Sequence, residues 1–309
     1  MTHAASIRPH HAIWPRRLPR ELVLPDTSLW FNLEVSATRY PDKAAYLFFG
    51  RAIRFAELKD QAERLAGWLQ AHGVAKGDRV VVFMQNCPQF VIAVQAVLRA
   101  DAVVVPVNPM NKADEFGHYI TDPGARIVIT TADLAGIVAE ANERLPEPQR
   151  LRHIVATRLA DALPEVLDPA EAPAPPVLQW LLSDPPLPAG TVRWAEALEA
   201  GHRPGPHTAR PDDMALLPYT SGTTGLPKGC IHTHRTLMHN VVGGGQWGHG
   251  GPEVVSLGVV PMFHITGFIY GALGSVAAGS TTVLLPRWDR ELAGRLISRH
   301  RVSHWTCIP

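Results

Sequence analysis

The chain lacks several features that would mark it as secreted or as a nucleic-acid-binding protein. Its 309 residues hold only three widely spaced cysteines (Cys87, Cys230 and Cys307), which excludes a disulfide framework and predicts a reducing compartment. A formal net charge of only +1 argues against nucleic-acid binding, where a basic surface is usual. Residues 1–27 carry arginines but no apolar segment, so they are not a secretory signal. We expect a solvated arm there, with a membrane-surface patch as the alternative.

Charge is also missing from one long stretch, Val254 to Pro286, which is long enough to cross a membrane. Pro261 and several glycines divide it, and β-branched residues return at 281–283. We therefore predict a strand, a buried helix and a second strand rather than a membrane span.

Short apolar runs alternate with helical periods along most of the chain, which predicts an α/β fold with parallel sheets. We predict two successive parallel-sheet units, at residues 28–159 and 212–309. Residues 160–211 between them hold eleven of the 28 prolines and little periodicity, which predicts a surface excursion that joins the units.

The stretch with the clearest chemistry runs from Tyr219 to Gly229, after an apolar run. It holds three glycines, four aliphatic hydroxyls and one lysine. Glycines let backbone N–H groups surround an anion, and lysine adds a compact positive charge, so the composition predicts a phosphate-binding loop. A turn without a ligand is the alternative. The Walker pattern fails because Gly229 follows Lys228, and the glycine fingerprint at 243–248 follows a predicted helix rather than a strand.

These eleven residues resemble the signature loop of the adenylate-forming superfamily, which includes acyl-CoA synthetases, luciferases and peptide-synthetase adenylation domains. The resemblance implies that the loop binds the β- and γ-phosphates of ATP while a carboxylate attacks the α-phosphate. It implies a catalytic role for Lys228 and contact of Thr220 with magnesium. The implied ATP-binding residues are Thr220, Ser221, Gly222, Thr223, Thr224, Gly225, Leu226, Pro227 and Lys228.

A second stretch, Pro261 to Gly267, resembles the superfamily's motif beside the acyl pocket. The resemblance implies that His264 is catalytic and donates to the carboxylate or the α-phosphate; a structural histidine is the alternative. Phe268 matches a position where long-chain members carry an aromatic gate, and a core aromatic remains the alternative. The implied substrate pocket comprises His264, Ile265, Thr266, Gly267 and Phe268. A further cluster comprises Cys230, His232, His234 and His239. We expect these residues to pack at the start of a helix, and zinc binding is the minor alternative.

The resemblance extends over residues 28–309, although Asp101 stands where the superfamily usually has glycine. The superfamily's larger domain contains two α/β sheets and a small β-barrel, and a small mobile C-terminal domain follows. This chain ends before the barrel is complete, so we expect an N-terminal portion that is poorly active alone. Two stretches near the end of the chain, Trp288 to Arg290 and Val302 to Thr306, look like the corresponding stretches of bacterial medium- and long-chain fatty acyl-CoA ligases.

The implied activity is that of an ATP-dependent fatty acid–CoA ligase, with ATP, Mg2+ and coenzyme A as cofactors or co-substrates. The alternatives are an aryl- or short-chain acid–CoA ligase, or a non-catalytic nucleotide- or acyl-binding module. We expect a small carboxylic acid as the partner and no nucleic acid. The expected location is cytoplasmic, and peripheral contact with the inner membrane face and a homodimer are left open.

Overall fold

The computed structural model describes residues 8–220 and 225–308. The described strands are β1 (Ala44–Phe48), β2 (Arg51–Arg54), β3 (Arg79–Phe83), β4 (Val103–Pro106), β5 (Ile127–Thr131), β6 (His153–Thr157), β7 (Val192–Arg193), β8 (Met214–Leu216), β9 (Tyr219–Thr220), β10 (Lys228–Gly229), β11 (His232–Thr233), β12 (Val255–Gly258), β13 (Thr281–Leu284) and β14 (His304–Trp305).

The described α-helices are α1 (Trp30–Arg39), α2 (Phe55–Ala71), α3 (Pro88–Arg99), α4 (Ala113–Thr121), α5 (Ala132–Glu143), α6 (Pro175–Leu181), α7 (Trp194–Glu199), α8 (His234–Trp247), α9 (Ile265–Gly267), α10 (Ser275–Ala278) and α11 (Arg290–His300). A π-helical turn, Phe268–Gly274, joins α9 to α10. Short 3-10 turns lie at Pro9–Ala12, Glu147–Gln149 and Leu159–Ala162.

The larger sheet has seven strands in the order β11-β8-β4-β3-β5-β6-β7. All its neighbours are parallel except β11, which runs antiparallel to β8. In the centre, Val81 is in register with Val105 on one side and Val128 on the other. Runs of β-branched residues suit such strands because both faces of a parallel sheet are buried.

The smaller sheet has five strands in the order β14-β12-β13-β1-β2, all parallel except the β1–β2 hairpin. The α/β class with parallel sheets is thus confirmed. However, each sheet draws strands from both predicted units: β1 and β2 lie beside β13, whereas β8 and β11 join the larger sheet. Local periodicity identifies strands but not their partners, so the sheets do not follow the predicted boundaries.

Helix α3 forms the centre of the core. Every residue from Pro88 to Leu98 is buried, as expected for a helix that is apolar on all sides. The Phe90 ring lies 6.4 Å from the ring of Phe268, and Gln95 donates to the Ala272 carbonyl at 3.4 Å. Helix α3 therefore ties the strands that flank it to the π-helical turn.

The sequence predicts a surface excursion for residues 160–211, with a short strand or helix at 191–198. The structure has β7 and α7 there, but the segment also contributes buried side chains to the core. Strand β7 extends the larger sheet, with Val192 in register with Val155. Leu181 and Trp194 are buried in the main core. Pro175 lies at the start of α6, where proline suits a helix, so this proline does not mark a loop.

The arm before residue 28 is solvated over its described part, where each of residues 10–27 is exposed or half-buried. Two of its side chains nevertheless contact the end of α8 and the residues after it. The Trp14 ring lies 5.3 Å from the ring of Trp247, edge to face. Arg17 is 2.8 Å from Nδ1 of His249. Residues 1–7 lie outside the described ranges.

Asp101 lies at the corner between α3 and β4 and is nearly buried. Its φ of +59° is a left-handed conformation that glycine adopts most easily. The carboxylate accepts hydrogen bonds from the Thr208 and Ala209 amides at 2.9 and 3.1 Å. It also lies 2.5 Å from Nδ1 of His207. Asp101 is therefore well paired, and it fixes the segment that leads into β8.

The charge-free stretch from Val254 folds as β12, a broken helix and β13, as predicted. In the described parts of the chain, no helix has both the length and the apolar character that crossing a bilayer requires.

Candidate functional site

Two short strands at the ends of the predicted phosphate loop pair as a hairpin. Strand β9 pairs antiparallel with β10, and Thr220 faces Lys228. Thr220, Gly225, Leu226 and Lys228 are exposed, and Pro227 is half-buried. Four of the predicted ATP-binding residues, Ser221, Gly222, Thr223 and Thr224, lie outside the described ranges. The hairpin itself was not predicted: the apolar run before the loop forms β8, which ends at Leu216, and β9 is a separate short strand.

Helix α4 contacts both strands of this hairpin. The Tyr219 hydroxyl donates to Oδ2 of Asp122 at 2.5 Å, at the end of α4. One turn earlier, Nε2 of His118 is 2.7 Å from the Pro227 carbonyl oxygen. Burial raises the pKa of the Tyr219 hydroxyl, and the bond to Asp122 raises it further, so the phenol stays protonated and can donate.

Gly229, which ends the hairpin, lies tightly against two neighbouring side chains. A Cβ there would lie 3.0 Å from Cγ of Leu217 and 3.3 Å from Cζ of Tyr219. The Tyr219 ring therefore rests directly on the backbone of β10, which explains the glycine at this position.

The second predicted motif follows β12 and is held by Asn86, a residue that we did not predict. The Asn86 side chain accepts from the Met262 amide at 2.8 Å and donates to the Val260 carbonyl at 3.0 Å. Asn86 follows strand β3 of the larger sheet, so it joins the two sheets beside the motif. The only hint in the sequence is a polar residue at the end of a buried strand, and that hint does not reveal its partner.

His264 stands at the start of α9 with an exposed ring, and its carbonyl accepts from the Phe268 amide at 2.8 Å. Gly267 packs so closely on the preceding loop that a Cβ would come within 2.2 Å of the Pro261 oxygen. The loop is therefore tightly turned, and the His264 ring is accessible at its surface.

An outer cavity of about 630 Å³ lies between α8 and the second motif. It brings Ile265 and Thr266 of the predicted substrate pocket together with His232, three residues beyond the hairpin. Its lining consists of Leu22, His232, His239, Asn240, Gly243, Gly244, Trp247, Ile265, Thr266, Ile269 and Tyr270.

An inner cavity of about 180 Å³ adjoins it, between α8, the π-helical turn and strands β12 to β14. Its walls are mostly apolar, and glycines from α8 and the π-helical turn, such as Gly245 and Gly271, make the space. The glycines at 243–248 thus lie at the end of a helix beside cavities, not in a nucleotide loop. The predicted pocket residue Gly267 lines this cavity, while His264 lines neither.

Tyr270 borders both cavities. Its ring lies 3.2 Å from the point that a Cβ on Gly244 would occupy. Phe268, by contrast, is only 1% exposed and lies in the core against Phe90. The structure thus favours the core alternative for Phe268 over the pocket wall. Tyr270 was missed because the pocket prediction rested on the resemblance of residues 261–268 and ended before this residue.

The histidines after the hairpin point in different directions. His234 is buried, and its Nδ1 accepts a hydrogen bond from the Leu29 amide at 3.1 Å. Burial lowers the pKa of His234 to about 4, so the ring is neutral near pH 7. His232 and His239 line the outer cavity instead. Across residues 8–220 and 225–308, no three His, Cys, Asp or Glu side chains converge as metal ligands.

Comparison with known proteins gives a consistent result. A family model described as "AMP-binding enzyme" matches residues 33–309. The chain is 33% identical over 313 residues to a long-chain-fatty-acid–CoA ligase of Bacillus subtilis (strain 168), covering 98% of this chain and 54% of that protein. Identity to the Salmonella typhimurium long-chain-fatty-acid–CoA ligase is 30%, over 91% of this chain and 51% of that protein. The chain spans about half the length of these curated relatives.

Solved structures share the fold. The inhibitor-bound N-terminal domain of FACL13 from Mycobacterium tuberculosis has a TM-score of 0.73 at 25% identity, and the match covers 92% of this chain and 63% of that one. A putative long-chain-fatty-acid CoA ligase from Rhodopseudomonas palustris has a TM-score of 0.76 at 23% identity, with the same coverage.

Proposed function

We infer, from the premise that this chain belongs to the AMP-binding enzyme family, that the whole protein is an ATP-dependent fatty acid–CoA ligase. In this reaction a carboxylate attacks the α-phosphate of ATP to give an acyl-adenylate and pyrophosphate, and the thiol of coenzyme A then takes the acyl group. The observation that carries the proposal is an exposed Thr/Lys hairpin close to apolar cavities, because the substrate has a charged end and an apolar end.

The donors at the hairpin fit a triphosphate. Lys228 and Thr220 face each other across β9 and β10, and both are exposed. An ammonium group attracts phosphate oxygens, and a hydroxyl can donate to a phosphate or serve as a ligand of a hard cation. Bound magnesium would neutralise charge on the phosphates, with Thr220 as its proposed contact. His264, exposed at the start of α9, is the proposed donor to the carboxylate or the α-phosphate.

The cavities support an apolar acid. Among the described residues, no Asp, Glu, Lys or Arg lines either cavity, so an alkyl chain would bury its surface there without meeting one of their charges. The names of the bacterial relatives support the same class. An aryl acid is the second candidate, because a 4-coumarate–CoA ligase of rice is 28% identical over 84% of this chain.

We also propose that the protein acts in the cytoplasm. The three free cysteines support a reducing compartment, since Cys230 and Cys307 are exposed and would oxidise elsewhere.

The test uses the whole protein with ATP, Mg2+ and coenzyme A, and measures pyrophosphate release with carboxylates from acetate to oleate and with benzoate. We expect the highest kcat/KM with medium or long alkyl chains. Lys228→Ala should lower kcat/KM for ATP at least tenfold, as about 1.4 kcal/mol of lost binding would. The matched control is Lys59→Ala, which removes a lysine from a helical ion pair with Glu63. Equal rates for Lys228→Ala and the wild type would remove this residue from the mechanism, and a preference for benzoate would favour the aryl candidate.

A further inference from the structure

The geometry points to α4 as the element that positions the phosphate hairpin: we propose that Asp122, His118 and Tyr219 set the affinity for ATP by fixing both strands of the hairpin. This inference rests on the proposed function. In this proposal none of the three residues contacts a phosphate. They act through the position of Thr220 and Lys228.

The first contact fixes β9. The Tyr219 hydroxyl donates to Oδ2 of Asp122 at 2.5 Å, a short hydrogen bond to a carboxyl oxygen. The ring of Tyr219 also lies edge-on to Tyr119, with 5.0 Å between ring centres. Because Thr220 is the next residue, the orientation of its backbone follows from this contact.

The second contact fixes the strand that returns. A carbonyl oxygen can only accept, so the 2.7 Å contact between Pro227 and Nε2 of His118 requires a proton on that nitrogen. Lys228 is the next residue. One helix therefore contacts the chain directly before Thr220 and directly before Lys228.

The hairpin needs such support because its ladder, over the described residues, contains two residue pairs. A two-stranded hairpin is marginally stable by itself in water. Helix α4, in contrast, is fixed in the core: Phe116 is buried, and its ring lies 4.4 Å from that of Phe83 in the larger sheet. The contacts thus transfer the rigidity of the larger sheet to the positions of Thr220 and Lys228.

The consequence for binding follows from populations. If only a fraction of molecules holds the hairpin in the competent position, the apparent Kd for ATP rises by the inverse of that fraction. Loss of one α4 contact should raise the KM for ATP about tenfold. The effect on kcat and on the KM for the fatty acid should be smaller, because the apolar cavities proposed for the fatty acid are not lined by α4.

The experiment compares Tyr219→Phe, His118→Ala and Asp122→Ala in the whole protein. Asp114→Ala is the matched control: it removes an exposed carboxylate at the other end of α4 that pairs only with Arg144. Asp122→Asn keeps an acceptor for the tyrosine hydroxyl and should restore part of the loss. Tyr219→Phe combined with Asp122→Ala should cost no more than either change alone, since both remove one bond.

Trypsin provides a readout that does not depend on ATP use. The Lys228 side chain, which trypsin recognises, is exposed in the hairpin. Each contact variant should be cleaved there several times faster than the Asp114→Ala control. Faster cleavage together with a raised KM for ATP supports the proposal.

Three results would overturn the proposal. The first is an unchanged cleavage rate in Tyr219→Phe and His118→Ala, which would mean that α4 does not hold the hairpin. The second is faster cleavage with an unchanged KM for ATP, which would mean that the hairpin position does not set affinity. The third is an equal rise of the KM values for ATP and fatty acid together with a lower Tm, which would mean general destabilisation. A wild type that never consumes ATP would refute the proposed function itself, and the cleavage rates would still report on the contacts.

Discussion

His234 allows a quantitative prediction about the dependence of stability on pH. Its ring is only 1% exposed, and Nδ1 accepts from the Leu29 amide. A proton on Nδ1 would remove that acceptor and place a charge in the core. Desolvation therefore lowers the pKa of His234 to about 4, and the positive charge of His207 adds to this effect.

The sign and size follow from linkage. Above pH 6.5, the ring is neutral in the folded and the unfolded state, so it adds no pH dependence. Below pH 6.5 the unfolded state takes up a proton and the folded state does not, so stability falls as the pH falls. The free energy of unfolding that is lost through this group amounts to about 2 kcal/mol at pH 5 and approaches about 3 kcal/mol below the folded-state pKa.

The assay is urea unfolding at several pH values between 7 and 5, comparing the wild type with His234→Asn. The asparagine amide oxygen can accept from the Leu29 N–H, but it does not titrate. We expect the free energy of unfolding of the variant to lose about 2 kcal/mol less than the wild type over this range. His202→Asn, at an exposed histidine, is the control for general effects of removing a histidine. Parallel pH curves for the wild type and His234→Asn would refute the reasoning.

Other positions give further predictions. A Cβ on Gly245 would meet no atom within 4 Å, so Gly245→Leu should fill the inner cavity without disturbing the fold. In the ligase assay this variant should prefer carboxylates with shorter chains. Gly294→Leu is the control, because a Cβ there also meets no atom but does not line the cavity. Asp101→Ala should lower the free energy of unfolding by about 3 kcal/mol, measured in urea, because it leaves the Thr208 and Ala209 amides without their acceptor. A thiol reagent should label Cys230 rapidly in the native state and Cys87 only on unfolding, since burial raises the pKa of Cys87 to about 12; fast labelling of Cys87 would contradict its burial.

Local features of the fold could be predicted from sequence because each depends on nearby residues. Thr233 caps α8 by accepting from the Thr236 amide, and Gly73 ends the turn after α2 with φ +87°. The pairing of strands depends on distant residues, so it could not be predicted. For example, Lys43, directly before β1, donates to the Gly279 carbonyl, 236 positions away.

The candidate site divides in the same way. Eleven residues from Tyr219 to Gly229 predicted the family correctly, because phosphate chemistry requires a dense local set of glycines and hydroxyls. The residues that hold that loop, such as Asp122, are separated from it by 97 positions. The cavity wall was missed for another reason: a short motif does not show which side of the following turn faces the core, and Tyr270 rather than Phe268 borders the cavities.

Helix α8 gives the proposed site its continuity. It begins with Thr233 as its cap, four residues after the end of the hairpin, and its glycines line the outer and then the inner cavity. The opposite wall comes from the second motif, which Asn86 fixes to the larger sheet. A displacement of α8 would therefore change the phosphate hairpin and the apolar cavity together. This coupling suits a reaction in which the charged and apolar ends of the substrates must be positioned at the same time.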